Sequence, residues 1–254
     1  MLENRPSKLG NLLLEIGVLL MSSGANTHRI RVTINRIADC YNYKTDFLIT
    51  HRTIILTLKD VEGNTAFTQL KQTNTLVPNF RIVSGISRLS WNLVENKLPI
   101  QSIWEEINRL KSLPHYPRFI VLIVVAFACS SFCRLSGGGF LDMGIVFISS
   151  FSGLFLKQEM AKKKTNPYIG VLLASFFTSL ISGGILFFMS SNQQSIILVT
   201  SILYLIPGIP LINSITDILD GYSLNGMIRG VNGTVTSFAI AAGLLLAMLI
   251  FKTF

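Results

Sequence analysis

The chain has 254 residues and a formal net charge of +9. Only 14% of its residues are charged and half are hydrophobic, giving a mean hydropathy of +0.52. Soluble domains carry about a quarter charged residues, so the balance points away from a water-soluble enzyme and towards a bilayer protein. The charge is unevenly spread: most of it precedes Tyr116, which predicts a water-exposed first half and a bilayer-embedded second half. No Lys/Arg-rich run with interleaved aromatics occurs, so nucleic acid is not an expected partner. The three cysteines, Cys40, Cys129 and Cys133, show no metal-type spacing with histidine. Cys129 and Cys133 share a helix face and read as small packing residues. Neither a metal nor a cofactor is expected.

In chain order, residues 7–42 read as two helices separated by "SSGANTH". Gly24 suits a left-handed helix end, and Asn26 or Thr27 suits the cap of the next helix. The run "LLLEIGVLLMSSGAN" resembles a signal peptide. Glu15 interrupts its apolar core, however, and Leu9, Leu12, Leu13, Ile16 and Leu20 follow helical spacing. It is therefore expected to be a helix of the first domain.

Residues 45–83 are rich in β-branched and aromatic residues and predict three or four antiparallel strands, with "KDVEGN" as a hairpin loop. "GISRLSWNLVEN" returns to helix, and Pro99 opens a further one. The expected fold class is an α+β soluble N-terminal domain, residues 1–115, followed by an all-α membrane domain of five transmembrane helices, residues 116–254. The spans fall at about 118–135, 140–157, 168–190, 195–212 and 231–251, each near the length that crosses a bilayer. The link between the second and third spans carries four lysines and should stay cytoplasmic. That places the N-terminal domain inside and the C-terminus outside.

The segment "YLIPGIPLINSITDILDG", Tyr204 to Gly221, interrupts the fourth span. Pro207 and Pro210 each lack an N–H and block the carbonyl four residues earlier, while Gly208 lets the backbone swing. A helix restarting near Leu211 would present free N–H groups and a partial positive charge, an end that attracts carboxylates. Asn213 and Asp217 share one face of that helix. An ionisable group at membrane depth is a functional candidate. Asp217 could bind a substrate amine, carry a proton or pair with Arg229; at the cytoplasmic surface it would be a solvated helix residue. Arg134 and Asp142 bracket "LSGGG" on the outer side. His28, Arg29, Asp39, His51 and Asp60 are the chemical residues of the first half. They form no nucleophile, zinc or Walker motif, so an enzyme is not expected and any transport would be gradient-driven.

"GVLLMSSGANTHRIRVTINRIA", "ITHRTIILTL", "FCRLSGGGFLD" and "LIPGIPLINSITDILDG" together resemble the threonine/serine exporter family, in its short YjjP-type branch. The matching positions are Gly24, Ala25 and Arg29 in the first motif and Pro207, Gly208, Pro210, Asn213 and Asp217 in the second. The resemblance implies an inner-membrane exporter of small carboxylate metabolites, threonine and serine or a succinate-like dicarboxylate. Long members continue into a second membrane domain. The present sequence ends three residues after Phe251, so a separate small membrane subunit is the expected partner, alongside the lipid bilayer; a homo-oligomer is compatible with this. Pro207, Gly208, Pro210, Asn213 and Asp217 are the expected substrate-binding residues. Gly24, Arg29, Asp217 and Arg229 are candidates for coupling or gating. Two other readings stay open: a membrane-anchored hydrolase in residues 1–115, and a regulatory or assembly subunit.

Overall fold

The computed structural model describes residues 5–73, 77–113, 116–188 and 193–251. Ten α-helices and three strands are found among them. The chain divides into two compact units. One combines Met1–Pro114 with Ile209–Gly230; the other combines His115–Gly208 with Val231–Phe254. A single boundary at residue 115 would assign 209–230 to the membrane half, whereas this segment groups with the N-terminal unit.

In the first unit, α1 (Arg5–Ser22) and α2 (Thr27–Asp39) are followed by β1 (Lys44–Ile49), β2 (Thr53–Lys59) and β3 (Thr65–Gln72). The sheet is an antiparallel meander with β2 in the centre. Among the described residues three strands form, and the last ends at Gln72. Asn79 then caps α3 (Phe80–Asn96), so the apolar residues at 80–83 belong to a helix. Strand β2 alternates, with Ile54, Leu56 and Leu58 fully buried, the period-two pattern of a strand with one face in a core. Helix α1 supplies Leu9, Leu12, Leu13, Ile16 and Leu20 to the same core. Glu15 breaks that helix's apolar run to pair with both Lys71 and Lys111. Helix α4 (Ile100–Ser112) starts after Pro99 and adds Ile103 and Ile107.

The second unit holds α5 (Arg118–Leu135), α6 (Phe140–Lys162), α7 (Pro167–Phe188), α8 (Gln194–Ser201) with a 3₁₀ turn at Leu203–Leu205, and the later part of α10 (Ser223–Phe251). Helices α5, α6, α7 and α10 are each long and apolar enough to cross a membrane. A fifth crossing exists if Gln194–Leu205 and Gly208–Leu219 count as one broken span. The apolar side chains point outward: Phe119, Phe127, Phe177, Phe238 and Ile250 are all exposed. The interior holds apolar clusters, one with Val146 and Ile197 and one with Ala174 and Leu205, and among them hydroxyls, with Ser149, Ser150, Ser175, Thr178, Ser182 and Ser201 fully buried. Lipid offers no hydrophobic drive between helices, so small residues and interhelical hydrogen bonds hold such bundles together. Ser175 Oγ donates to the Ile240 carbonyl at 2.7 Å, Ser150 Oγ to the Ser201 carbonyl at 3.0 Å, and Thr178 and Tyr204 share a hydrogen bond of 2.8 Å. Arg134 donates to the Gly138 carbonyl at 3.0 Å, and Asp142 accepts from the Gly139 N–H at 2.7 Å, so both groups brace the glycine turn between α5 and α6.

Candidate functional site

The break after α8 runs through Ile206 and Pro207, and α9 (Gly208–Leu219) begins three residues before Leu211. The carbonyls that the prolines release are satisfied locally. Ile206 N–H donates to Leu203 at 3.2 Å, and Gly208 N–H donates to Ile206 at 2.9 Å. Two prolines without an N–H and a glycine whose N–H is engaged leave this helix start poorer in donors than an ordinary N-terminus. The carboxylate-attracting helix end expected at this point lies elsewhere.

It is the start of α2. Met21 and Gly24 close α1, with Gly24 at φ +89°, a left-handed conformation that favours glycine. Asn26 then caps α2, its Oδ1 accepting from the Arg29 N–H at 2.9 Å. The Thr27 N–H is left for another acceptor, and Asp217 of α9 supplies it. Oδ1 of Asp217 accepts from Thr27 N at 2.8 Å, and Oδ2 accepts from Thr27 Oγ1 at 3.1 Å. Arg229 Nε lies 3.2 Å from the same Oδ2. Thus a fully buried carboxylate meets a helix N-terminus, a hydroxyl and a guanidinium, the set of donors that carboxylate recognition uses.

The carbonyls just before α2 are served from the same two helices. Asn213 Nδ2 donates to the Gly24 carbonyl at 2.9 Å, and Arg229 Nη2 donates to the Ala25 carbonyl at 3.1 Å. The i, i+4 spacing of Asn213 and Asp217 puts one on each side of the α1–α2 turn. An anion therefore faces the amide that begins α2, the placement that the helix dipole favours, while Arg229 meets the Ala25 carbonyl in the linker before it.

Asn225, one helical turn before Arg229, completes the cluster. Its Nδ2 donates to Thr27 Oγ1 at 3.2 Å and to the Ile49 carbonyl at 2.9 Å. Its Oδ1 is buried without a hydrogen-bond partner. Helices α9 and α10 approach closely at Gly226, where Ser214 Oγ donates to the Gly226 carbonyl at 2.7 Å. An added Cβ at Gly226 would come within 2.7 Å of the Ser214 carbonyl oxygen.

Thus Gly24, Asn213, Asp217 and Arg229 are brought together. Arg29 is exposed, and only its backbone is engaged among the described contacts, its N–H on Asn26 Oδ1 and its carbonyl by Thr33 Oγ1. His28 and Asp39 are exposed, and Asp60 caps its own hairpin loop through the Asn64 N–H at 2.8 Å. His51 is half-buried; burial, then Arg52 and Arg229, push its pKa below the usual histidine value. Asn225 escapes sequence reasoning, because "GYSLNGMIRG" reads as a loop. Its one sequence signal is the four-residue spacing to Arg229. Among the described residues no cluster of histidine, cysteine, aspartate or glutamate is arranged to hold a metal ion.

Helices long and apolar enough to cross a membrane, with a broken apolar segment leading into a buried charged cluster, are features of membrane proteins of the transporter kind. The chain belongs to the ThrE threonine/serine exporter family, whose pattern matches residues 11–251. An Escherichia coli protein named "Probable succinate transporter subunit YjjP" is 24% identical over 94% of this chain and 93% of its own length. A Corynebacterium glutamicum "Threonine/serine exporter" is 25% identical over 92% of this chain but only 49% of its own length. A Mycobacterium tuberculosis "Probable threonine/serine exporter" is 20% identical over 95% of this chain and 46% of its own length. The chain thus spans about half of these two relatives. No solved structure matches it.

Proposed function

We propose that this protein is one subunit of a gradient-driven exporter of small carboxylate metabolites, threonine and serine or a succinate-like dicarboxylate, in the bacterial inner membrane. Its cytoplasmic α+β unit combines residues 1–114 with 209–230, and the rest of the chain supplies the transmembrane helices, with the C-terminus outside. A small separate membrane subunit completes the exporter. The names of the relatives support the substrate class, and the word "subunit" in one of them supports a partner.

The observation that carries the reading is the ring of carboxylate-recognising donors around Asp217. In the proposed cycle, Pro207, Gly208 and Pro210 form the hinge between the fourth span and α9. Asn213 and Asp217 hold α9 against the α1–α2 turn, and Arg229 holds the carboxylate. Hinges of this kind absorb backbone change at a few residues.

The test is Asp217→Asn in cells loaded with threonine or succinate. The reading expects export to cease while the protein still inserts into the membrane. Export at the unsubstituted rate would end the assignment. A regulatory or assembly role has one observation in its favour: Ile212, Ile215 and Leu219 form an exposed apolar stripe on α9, suited to a partner helix. Polar replacement of Ile215 that prevents assembly with the small subunit, without slowing transport by complexes already formed, would favour that role.

A further inference from the structure

The donors that hold the Asp217 carboxylate are ones that any carboxylate could use. The Thr27 N–H and hydroxyl approach its two oxygens separately, at 2.8 and 3.1 Å, and the Arg229 guanidinium also reaches Oδ2, at 3.2 Å. Asp217 has no exposed surface, and Thr27 is 1% exposed. Beside them stands an acceptor that the aspartate leaves unused. Asn225 is 5% exposed and its Oδ1 has no hydrogen-bond partner, although the Nδ2 of the same amide is bound to Thr27 Oγ1. The direction of that amide is fixed by chemistry: its second Nδ2 contact, the Ile49 carbonyl, can only accept. A buried acceptor without a donor is costly and marks a position where a ligand donor is wanted.

We infer that the Thr27–Arg229–Asn225 cluster is the recognition site for an α-amino acid, and that Asp217 occupies it in place of the substrate carboxylate. This inference rests on the exporter reading above. The substrate carboxylate takes the Thr27 N–H, the Thr27 hydroxyl and Arg229, and its α-ammonium donates to Asn225 Oδ1. Asp217 cannot keep those donors at the same time, so substrate binding releases α9 from the α1–α2 turn. The site therefore opens only when a carboxylate of the right kind replaces the internal one. The Asn225 acceptor separates substrate classes as well. An amino acid brings an N–H donor to it, whereas an ionised dicarboxylate brings none and would face the acceptor with a second anion.

Occupancy by an internal competitor lowers apparent affinity by the fraction of time that the site is free. Removing the competitor should therefore strengthen binding. If Asp217 were itself the ligand for a substrate amine, its removal would weaken binding instead. The experiment measures binding of L-threonine and of succinate to the full-length protein in mild detergent by calorimetry. Asp217→Asn should bind threonine more tightly than the unsubstituted protein, on the order of tenfold, with a smaller gain for succinate. Arg229→Gln should bind neither. Equal or weaker threonine binding by Asp217→Asn, or undiminished binding by Arg229→Gln, overturns the inference.

Should Asp217→Asn fail to fold, the unsubstituted protein decides. With 13C at its aspartate side-chain carboxyls, saturating threonine should shift one carboxylate signal. Saturation with every aspartate signal unmoved, or no threonine binding at all, overturns it. Vesicles carrying the unsubstituted protein and its partner separate the two levels. If they export threonine while the binding results go against the inference, the site assignment fails and the exporter reading stands. If they export neither threonine nor succinate, the exporter reading itself fails.

Discussion

The Asp217–Arg229 pair joins α9 to α10 beside the α1–α2 turn, and a double-mutant cycle measures its strength. At 3.2 Å, two unit charges attract by about 5 kcal/mol with an effective dielectric constant near 20. The Arg229 side chain keeps 15% of its surface in solvent while Asp217 keeps none, so screening lowers this to a coupling of about 2–3 kcal/mol. Asp217→Asn leaves a largely buried guanidinium with only the Ala25 carbonyl described as its partner. Arg229→Gln leaves a buried carboxylate with both Thr27 donors. Each single change should cost about 3–5 kcal/mol, because it strands a buried charge. The double variant should cost less than the sum by the coupling energy. Chemical unfolding of the four proteins in the same mild detergent gives the cycle. A coupling under about 0.5 kcal/mol, the ordinary error of additivity, would refute the buried ion pair as an organising contact.

The same geometry makes two further outcomes testable. Gly226→Ala places a methyl group against the Ser214 carbonyl and the Ile218 backbone nitrogen, and backbone cannot move aside cheaply. It should destabilise the fold by about 1–3 kcal/mol and reduce transport, whereas Gly208→Ala, which meets nothing within 4 Å, should fold normally; equal stability of the Gly226→Ala and unsubstituted proteins would contradict the close approach. His51 has a folded-state pKa held below the ordinary value of 6.5 by burial, Arg52 and Arg229. As pH falls below about 6.5 the unfolded chain takes this proton first, so stability declines towards the folded-state pKa and then levels. His51→Gln should flatten the stability–pH profile just below about pH 6.5, and an unchanged slope would remove His51 as its source.

Much of the architecture is legible in the sequence because it rests on local rules. The apolar run at 118–135 is a helix with those limits, since hydropathy and Pro117 define both its length and its start. Gly24 and Asn26 act where left-handed turn and cap chemistry place them. The common face of Asn213 and Asp217 follows from helical periodicity alone. What that face meets does not, because Thr27 lies 190 residues away in sequence and nothing in either segment encodes the pairing. Local rules place the carboxylate-attracting helix end within the broken segment. The same prolines that mark the break also remove its N–H donors, and the attraction is met by α2. Hydropathy starts the last span at 231 because it falls off before that point. The helix in fact begins at Ser223, since Asn225 and Arg229 find partners at Thr27, Ile49, Ala25 and Asp217 rather than ending it. Polar residues with distant partners hide a helix from any scale that counts only apolar ones.

The central claim is transport of small carboxylates by this chain together with a small membrane subunit. Its most direct test is efflux from sealed vesicles loaded with radiolabelled L-threonine or succinate, carrying this protein alone, the subunit alone, or both, with an imposed proton gradient. The account predicts gradient-dependent efflux of at least one of the two substrates only when both proteins are present, and its loss with Arg229→Gln. Efflux that is indifferent to this chain, or unchanged by Arg229→Gln, would contradict it.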